Sequence, residues 1–263
     1  MTRRPTIGVF DSGMGGVTVL SALQRLMPGA TYLYAFDNAH FPYGNRPEAE
    51  IIQLVLDCLE RLIVVHRADV IVIACNTASV SALAPARARF SVPIVGTVPA
   101  IKPAAAQSRT KTIGLLATPG TVLRPYTDEL ERQFAQGCTV LRRGSVRLVE
   151  LAERKMHGEP VPLQDLWQEI QPLFDASPRE EAKRLDTIVL GCTHFPLLSE
   201  EIQSVVPWPV HLIDPGPAIA ARACTVIAEA GFAMQDLATT SAASGPLALA
   251  TLMDDDVESL RPA

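Results

Sequence analysis

The sequence predicts an α/β protein made of two similar doubly wound α/β lobes, related by a pseudo-twofold duplication, with a ligand site in the cleft between them. Three repeats carry this expectation. A seven-residue pattern ending in cysteine occurs twice, as Asp69-Val70-Ile71-Val72-Ile73-Ala74-Cys75 and Asp186-Thr187-Ile188-Val189-Leu190-Gly191-Cys192. Thr6-Ile7-Gly8-Val9-Phe10 is echoed by Thr112-Ile113-Gly114-Leu115-Leu116. Val92-Pro93-Ile94 and Pro99-Ala100-Ile101 are echoed by Trp208-Pro209-Val210 and Pro217-Ala218-Ile219. Apolar runs of this kind are strands buried on both faces, and they alternate here with helical patterns, the mark of a parallel sheet with crossover helices.

Along the chain, residues 6–10 form the first strand and run into the turn Asp11-Ser12-Gly13-Met14-Gly15-Gly16. An amphipathic helix follows, with Val19, Leu20, Leu23 and Leu26 as its apolar stripe. Phe41-Pro42-Tyr43-Gly44-Asn45 is a turn by composition. The first cysteine run is the next strand. Clustered prolines (Pro93, Pro99, Pro103; Pro207, Pro209, Pro215, Pro217) mark two crossings between lobes. The first lobe is expected over 1–97 with a returning tail 210–263, and the second over 98–209. In the second lobe the strand 112–116 enters Ala117-Thr118-Pro119-Gly120-Thr121, residues 147–153 are helical, and the second cysteine run is a strand. The stretch Thr239-Thr240-Ser241-Ala242-Ala243-Ser244-Gly245-Pro246 and the acidic end after it read as a loosely held terminus.

Composition narrows the function. The 263 residues are 48% hydrophobic and 19% charged, enough for a sizeable core and too apolar for disorder. The net charge is −5, and the basic cluster Arg142, Arg143 and Arg147 reads as a solvated face, so no nucleic-acid partner is expected. No membrane span is expected either. The most apolar stretch, Leu62 to Cys75, is interrupted by His66, Arg67 and Asp69. Met1-Thr2-Arg3-Arg4-Pro5 leads into a strand without a signal-peptide core, which predicts a cytoplasmic protein with reduced thiols. Five cysteines with no C-x-x-C pair argue against a disulfide framework and a zinc site, so no metal is expected.

The residues able to do chemistry cluster at strand ends. Cys75 is followed by Asn76 and Thr77, and Cys192 by Thr193 and His194. A packed core has no need of polar groups directly after a buried strand. Each cysteine is expected at a helix N-terminus, where the dipole lowers a thiol pKa from about 8.5 toward neutrality. Cys58, Cys138 and Cys224 read as small buried residues. Asp11 and Ser12 are the favoured types for a helix cap, while the glycines after them let backbone N–H groups approach an anion. Their spacing is not G-x-G-x-x-G, which leaves a dinucleotide unsupported and favours a small carboxylate. Asp11 would repel that carboxylate, so it is expected to face an ammonium group or act as a base. His194 adjoins a candidate nucleophile or base and is read as catalytic, whereas His40, His66, His157 and His211 read as structural. Glu150 lies on a helical pattern and by itself reads as a solvated charge.

Together, the segments Phe10-Asp11-Ser12-Gly13-Met14-Gly15-Gly16, Pro42-Tyr43-Gly44, Ala74-Cys75-Asn76-Thr77-Ala78-Ser79, Val98-Pro99-Ala100-Ile101-Lys102-Pro103-Ala104 and Leu190-Gly191-Cys192-Thr193-His194-Phe195-Pro196-Leu197 resemble bacterial glutamate racemases of the cofactor-independent aspartate/glutamate racemase family. The tail beyond about residue 230 carries no family motif. The resemblance implies interconversion of L- and D-glutamate without pyridoxal phosphate or any other cofactor, with D-glutamate entering peptidoglycan precursors. It implies a homodimer, and in some members of the branch a nucleotide-sugar peptide, a cell-wall precursor, as activator. It assigns Cys75 and Cys192 as the two acid/base residues, Cys75 acting on the D-enantiomer and Cys192 on the L-enantiomer. It sets Asp11, Ser12, Pro42, Tyr43, Gly44, Asn76, Thr77, Thr193 and His194 around the substrate. Asp11 assists near Cys75, and Glu150 and His194 near Cys192.

The chemistry agrees with the residues. Inverting Cα removes a proton on one face and delivers one on the other, which two thiols on opposite sides accomplish. The Cα–H is a weak acid, so developing negative charge needs fixed donors, and Ser12, Asn76, Thr77, Thr118, Thr121 and Thr193 are the candidates. Three other readings compete. One is racemisation of another acid such as aspartate, or a related decarboxylation; the two-cysteine arrangement disfavours decarboxylases of this type, which resemble one-cysteine members of the superfamily. Another is a Cys–His hydrolase or acyl transferase using Cys192 and His194, which has no need of the second matched cysteine. The last is a non-catalytic ligand-binding regulator, against which both retained thiols argue.

Overall fold

The computed structural model describes residues 3–238 and 247–251. The chain divides into two compact units, Met1–Thr97 with Gly216–Ala263, and Val98–Pro215. The first contains β1 (Thr6–Asp11), α1 (Val17–Leu26), β2 (Thr31–Phe36), α2 (Glu48–Glu60), β3 (Val70–Ile73), α3 (Asn76–Arg89) and β4 (Ile94–Gly96). Short 3₁₀ turns, Asn38–His40 and Tyr43–Asn45, precede α2, and α2 runs on into a π-helical turn, Arg61–Val65. The second unit contains α4 (Ile101–Gln107), β5 (Thr112–Ala117), α5 (Pro119–Val122), α6 (Pro125–Phe134), β6 (Thr139–Gly144), α7 (Arg147–Met156), α8 (Leu163–Asp175), β7 (Thr187–Gly191), a 3₁₀ segment Phe195–Leu198, α9 (Ser199–Val205) and β8 (His211–Ile213). The chain then returns to the first unit with α10 (Gly216–Glu229), α11 (Met234–Leu237) and β9 (Leu247–Ala250).

Both sheets are parallel. Their orders are β4-β3-β1-β2-β9 and, read from the equivalent edge, β8-β7-β5-β6. With β9 set aside the two orders coincide, so the sequence repeats extend to topology. In each unit the chain leaves its first strand toward one neighbour and then crosses to the other. The carboxyl ends of β1 and β3, and of β5 and β7, therefore flank a topological switch point, the place where open α/β sheets bind ligands.

Burial on both sheet faces explains the strand compositions. In β1 and β3, Ile7, Val9, Val70 and Val72 pack with Val19 and Leu23 of α1 and Ile219 and Ile227 of α10. Phe10, Ile71 and Ile73 point the other way, onto Ile51, Val55 and Leu59 of α2 and Ala78 and Ala82 of α3. All four residues of β3 are 0% exposed, and burying a side chain of that size stabilises the fold by about 1.5–3 kcal/mol. In the second unit Ile113, Leu115 and Val189 pack with Ile101 and Ala104 of α4 and Leu130 of α6.

Three expectations are corrected. The α1 stripe passes from Leu23 to the buried Met27, four residues on, and leaves Leu26 49% exposed. The second crossing lies at Pro215-Gly216 rather than near residue 210, because β8 pairs with β7 in the second sheet. Within the stretch read as a loose terminus, Leu247–Ala250 form β9 and extend the first sheet beside β2. The residues 239–246 and 252–263, also part of that expectation, lie outside the described residues. The basic cluster is a paired face: Arg142 meets Glu131 and Asp128, Arg143 meets Glu169, and Arg147 meets Glu150 and Asp165.

Candidate active site

In the first unit, polar residues gather at the carboxyl ends of β1 and β3. Asp11 ends β1 and is fully buried. Its Oδ1 accepts the Ser12 N–H at 2.8 Å and its Oδ2 accepts the Gly16 N–H at 2.5 Å, so the carboxylate folds the glycine turn around itself. A Cβ on Gly16 would lie 2.7 Å from Asp11 Cβ and 2.8 Å from Tyr34 Oη, which explains why glycine stands there. The Tyr34 hydroxyl donates to the Gly13 carbonyl at 2.8 Å and holds the same turn.

Cys75 is the N-cap residue of the 14-residue α3, and its Sγ accepts from Ala78 N at 3.4 Å. The Ser12 hydroxyl lies 3.5 Å from the same sulfur. The sulfur thus sits at a helix start beside a hydroxyl. Asn76 and Thr77, the first two residues of α3, are 2% and 3% exposed. Both Asn76 side-chain atoms, Nδ2 and Oδ1, are buried without a hydrogen-bond partner. Leaving a buried amide unmatched is costly, which makes this group a candidate ligand contact.

Tyr43 is 1% exposed and Gly44 is buried, in the 3₁₀ turn that packs on α3, with Pro42 half-buried before them. The Tyr43 hydroxyl donates to Asp37 Oδ2 at 2.7 Å. Burial, and then Asp37, push its pKa far above the usual phenol value. The hydroxyl is thus committed to Asp37, and the backbone of the turn is what this segment offers a ligand. His40, read as structural, also holds Asp37, through Nδ1 at 2.9 Å.

In the second unit, Cys192 follows β7 and is 7% exposed. It differs from the expected helix start, for it enters a turn and the four-residue 3₁₀ segment, where little helix dipole accumulates. Its neighbour is His194, whose Nδ1 lies 3.8 Å from Sγ. The other ring nitrogen, Nε2, lies 2.5 Å from Glu153 Oε1. Burial alone would push the His194 pKa down, but hydrogen bonds to Cys192 and Glu153 and their negative charges raise it to about 10.

Glu150 is not the carboxylate at this site. It is exposed on α7 and pairs with Arg147 at 2.8 Å, while Glu153, three residues on, reaches the imidazole. The α7 helix is fixed at both ends: Ser145 Oγ accepts from Leu148 N at 3.0 Å, and Lys155 Nζ donates to Leu197 O at 2.8 Å and pairs with Glu201. Thr118, after β5, is adjacent by register to Cys192, since Ala117 pairs with Gly191. Its hydroxyl lies 3.2 Å from that of Thr121, and both side chains are buried, as is Thr193. An alanine at 191, matching Ala74 of the first copy, would bring its Cβ within 2.9 Å of Ala117 Cβ. Sequence reasoning missed Glu153 and Lys155. The one available signal was that Glu153 follows Val149 by a helical turn, beside the apolar stripe.

The Asp/Glu/Hydantoin racemase family profile matches residues 14–223. The chain belongs to this family. Glutamate racemase from Pasteurella multocida (strain Pm70) is 50% identical over 226 residues, covering 86% of this chain and 82% of that protein. The crystal structure of Escherichia coli glutamate racemase in complex with L-glutamate and the activator UDP-MurNAc-Ala matches with a TM-score of 0.86 at 42% identity, over 98% of this chain and 93% of that one. Glutamate racemase from Thermus thermophilus, in complex with β-chloro-D-alanine, matches with a TM-score of 0.74 at 29% identity, over 98% and 93%. This family membership makes the chain an isomerase of the amino-acid racemase type. Among the described residues no helix is long and apolar enough to cross a membrane, and no group of His, Cys, Asp and Glu is arranged to hold a metal ion.

Proposed function

We propose that this racemase-family chain interconverts L- and D-glutamate by proton transfer at Cα, with Cys75 serving one face and Cys192 the other, and so supplies D-glutamate for peptidoglycan precursors. The observation that carries this is the pair of buried thiols at equivalent strand ends of two sheets with the same order, each with its own assisting group. Ser12 stands at one sulfur and His194, backed by Glu153, at the other. One thiol accepts the Cα proton as a thiolate while the other donates, and the roles exchange with direction. The His194 imidazolium is the counter-charge a Cys192 thiolate requires, and Glu153 keeps that charge in place inside a buried site. Asn76, Thr77, Thr118, Thr121 and Thr193 are the donors for the charge that develops on the substrate. The backbone N–H groups of the glycine turn and of Tyr43-Gly44 suit a small carboxylate. The two enantiomers are equal in free energy, so the reaction needs no coupled energy source.

The Cys192–His194–Glu153 series also fits a nucleophilic hydrolase, but that reading leaves Cys75 and its helix start without a task. The decisive experiment follows glutamate and aspartate of each hand by circular dichroism with no added cofactor. Racemisation of glutamate and not aspartate, abolished by Cys75→Ser and by Cys192→Ser, is expected. An acyl-enzyme burst with activated esters, or full activity in either serine variant, overturns the two-thiol mechanism. We also propose a cytoplasmic homodimer and activation by a cell-wall precursor of the kind bound to the E. coli relative. Sedimentation, and rates with and without UDP-MurNAc-Ala, test the assembly and the activation.

A further inference from the structure

A cavity of about 200 Å³ lies in the first unit, between the β2–β9 edge of the sheet and the π-helical turn that follows α2. Its inner walls are the buried Phe36 and Leu62 with the half-buried Leu249. Its polar groups include Arg61, His66 and Thr251, of which Arg61 and Thr251 are exposed and so form its rim. Arg61 makes no ion pair among the described residues, unlike the paired arginines of the second unit. The π-helical form is rare and recurs at functional sites. A guanidinium over apolar walls suits one chemistry, a carboxylate with a hydrocarbon body. The volume is smaller than that of drug-sized sites, which start near ~300 Å³, so the cavity suits a small acid.

The cavity is joined to the candidate substrate turn by a short chain of hydrogen bonds. Thr251 Oγ1 donates to Asp37 Oδ1 at 2.6 Å and accepts from Ala39 N at 3.2 Å. Asp37 in turn holds the Tyr43 hydroxyl at 2.7 Å. The Cys58 thiol also lines the cavity. Burial first, and the Asp37 charge second, push its pKa up to about 12, so it stays a neutral thiol beside the Asp37 charge.

We infer that this cavity is a second binding site, for a small monocarboxylate with an apolar body, and that its occupancy is transmitted through Thr251 and Asp37 to the Tyr43-Gly44 turn. The binding half stands by itself; the transmission half rests on the racemase function proposed above. The test uses the full chain with hexanoate as probe, followed by calorimetry and saturation-transfer NMR. Hexanoate should bind in the presence of saturating glutamate. Arg61→Gln should weaken it at least tenfold, and neutral hexanamide should be at least tenfold weaker on the unaltered protein. His66→Gln serves as a second variant should Arg61→Gln fail to fold, and the same weakening is expected of it. Saturating hexanoate should shift the KM for glutamate at least twofold, and the shift should vanish in Arg61→Gln, whose activity without hexanoate is unchanged. Displacement of hexanoate by glutamate, equal affinity for hexanamide, no binding at millimolar concentration, or binding untouched by either variant overturns the site. Binding without any change in KM overturns the transmission. Failure of the racemase function would show separately, as an enzyme inactive before any hexanoate is added.

Discussion

Replacing Glu153 with Gln removes the charge that holds His194 while keeping the shape of the side chain. In the intact site Nε2 lies 2.5 Å from Glu153 Oε1, and the imidazole is 2% exposed, so water cannot substitute for the lost carboxylate. A hydrogen bond to a charged group contributes about 1.5–3 kcal/mol, which at about 1.36 kcal/mol per pKa unit lowers the His194 pKa by one to two units. The imidazolium, held to about 10 in the native site, then loses its proton at correspondingly lower pH. The basic limb of kcat/KM should move acidward by one to two units, and kcat/KM at its plateau should fall about 10- to 100-fold. Because the enantiomers are equal in free energy, kcat/KM must fall equally in both directions. The asymmetry should appear instead in solvent-deuterium wash-in, which slows for the proton handled by Cys192 more than for the one handled by Cys75. Glu150→Gln is the control: its carboxylate is exposed and paired with Arg147, and activity should stay within about twofold, as for other surface changes. A Glu153→Gln profile that superimposes on the wild type, or an equal loss in Glu150→Gln, refutes this assignment. Stability gives an independent reading. The folded-state pKa of His194 is raised, so its contribution is fully present below about 6.5 and is lost as pH rises through about 10. The wild type should therefore exceed Glu153→Gln in melting temperature most clearly near pH 6, with the gap closing toward pH 10.

Each serine variant should retain one face of the reaction. With β-chloroalanine, Cys75→Ser should eliminate chloride from the L-enantiomer and Cys192→Ser from the D-enantiomer; equal loss of both enantiomers in both variants rejects the two-base scheme. Asp11→Asn should lower kcat and also stability, because Oδ1 and Oδ2 each accept a backbone N–H and an amide can satisfy only one; a loss of about 1–3 kcal/mol in chemical denaturation is expected, and unchanged stability contradicts the turn-folding role. Gly16→Ala should cost about 1–3 kcal/mol from overpacking against Asp11 and Tyr34, with KM for glutamate raised; a variant as stable and as tight as the wild type means the turn has room that its geometry denies.

The strands and the two cysteines are legible in the order of residues alone. Parallel strands covered on both faces must be apolar along their length, so β1, β3, β5 and β7 stand out, and the polar residues or thiols at or just past their carboxyl ends (Asp11, Cys75, Thr118, Cys192) mark the candidate site. The repeats revealed the duplication for the same reason, since equivalent strands meet equivalent surroundings. Packing separates Glu150 from Glu153. The two lie three residues apart on one helix, about 60° apart around its axis, and nothing local distinguishes a carboxylate turned to water from one turned to an imidazole; the placement of α7 against the turn after Cys192 does. The same holds for Leu26 and Met27, adjacent apolar residues of which packing chose the second. β9 was illegible because Leu-Ala-Leu-Ala carries no β-branched or aromatic side chain, and it becomes a strand through the open edge of β2. The bond from Thr251 to Asp37 is likewise a product of tertiary packing, joining residues more than 200 positions apart that no local pattern connects, whereas the Tyr43 hydroxyl meets the same Asp37 from six residues away.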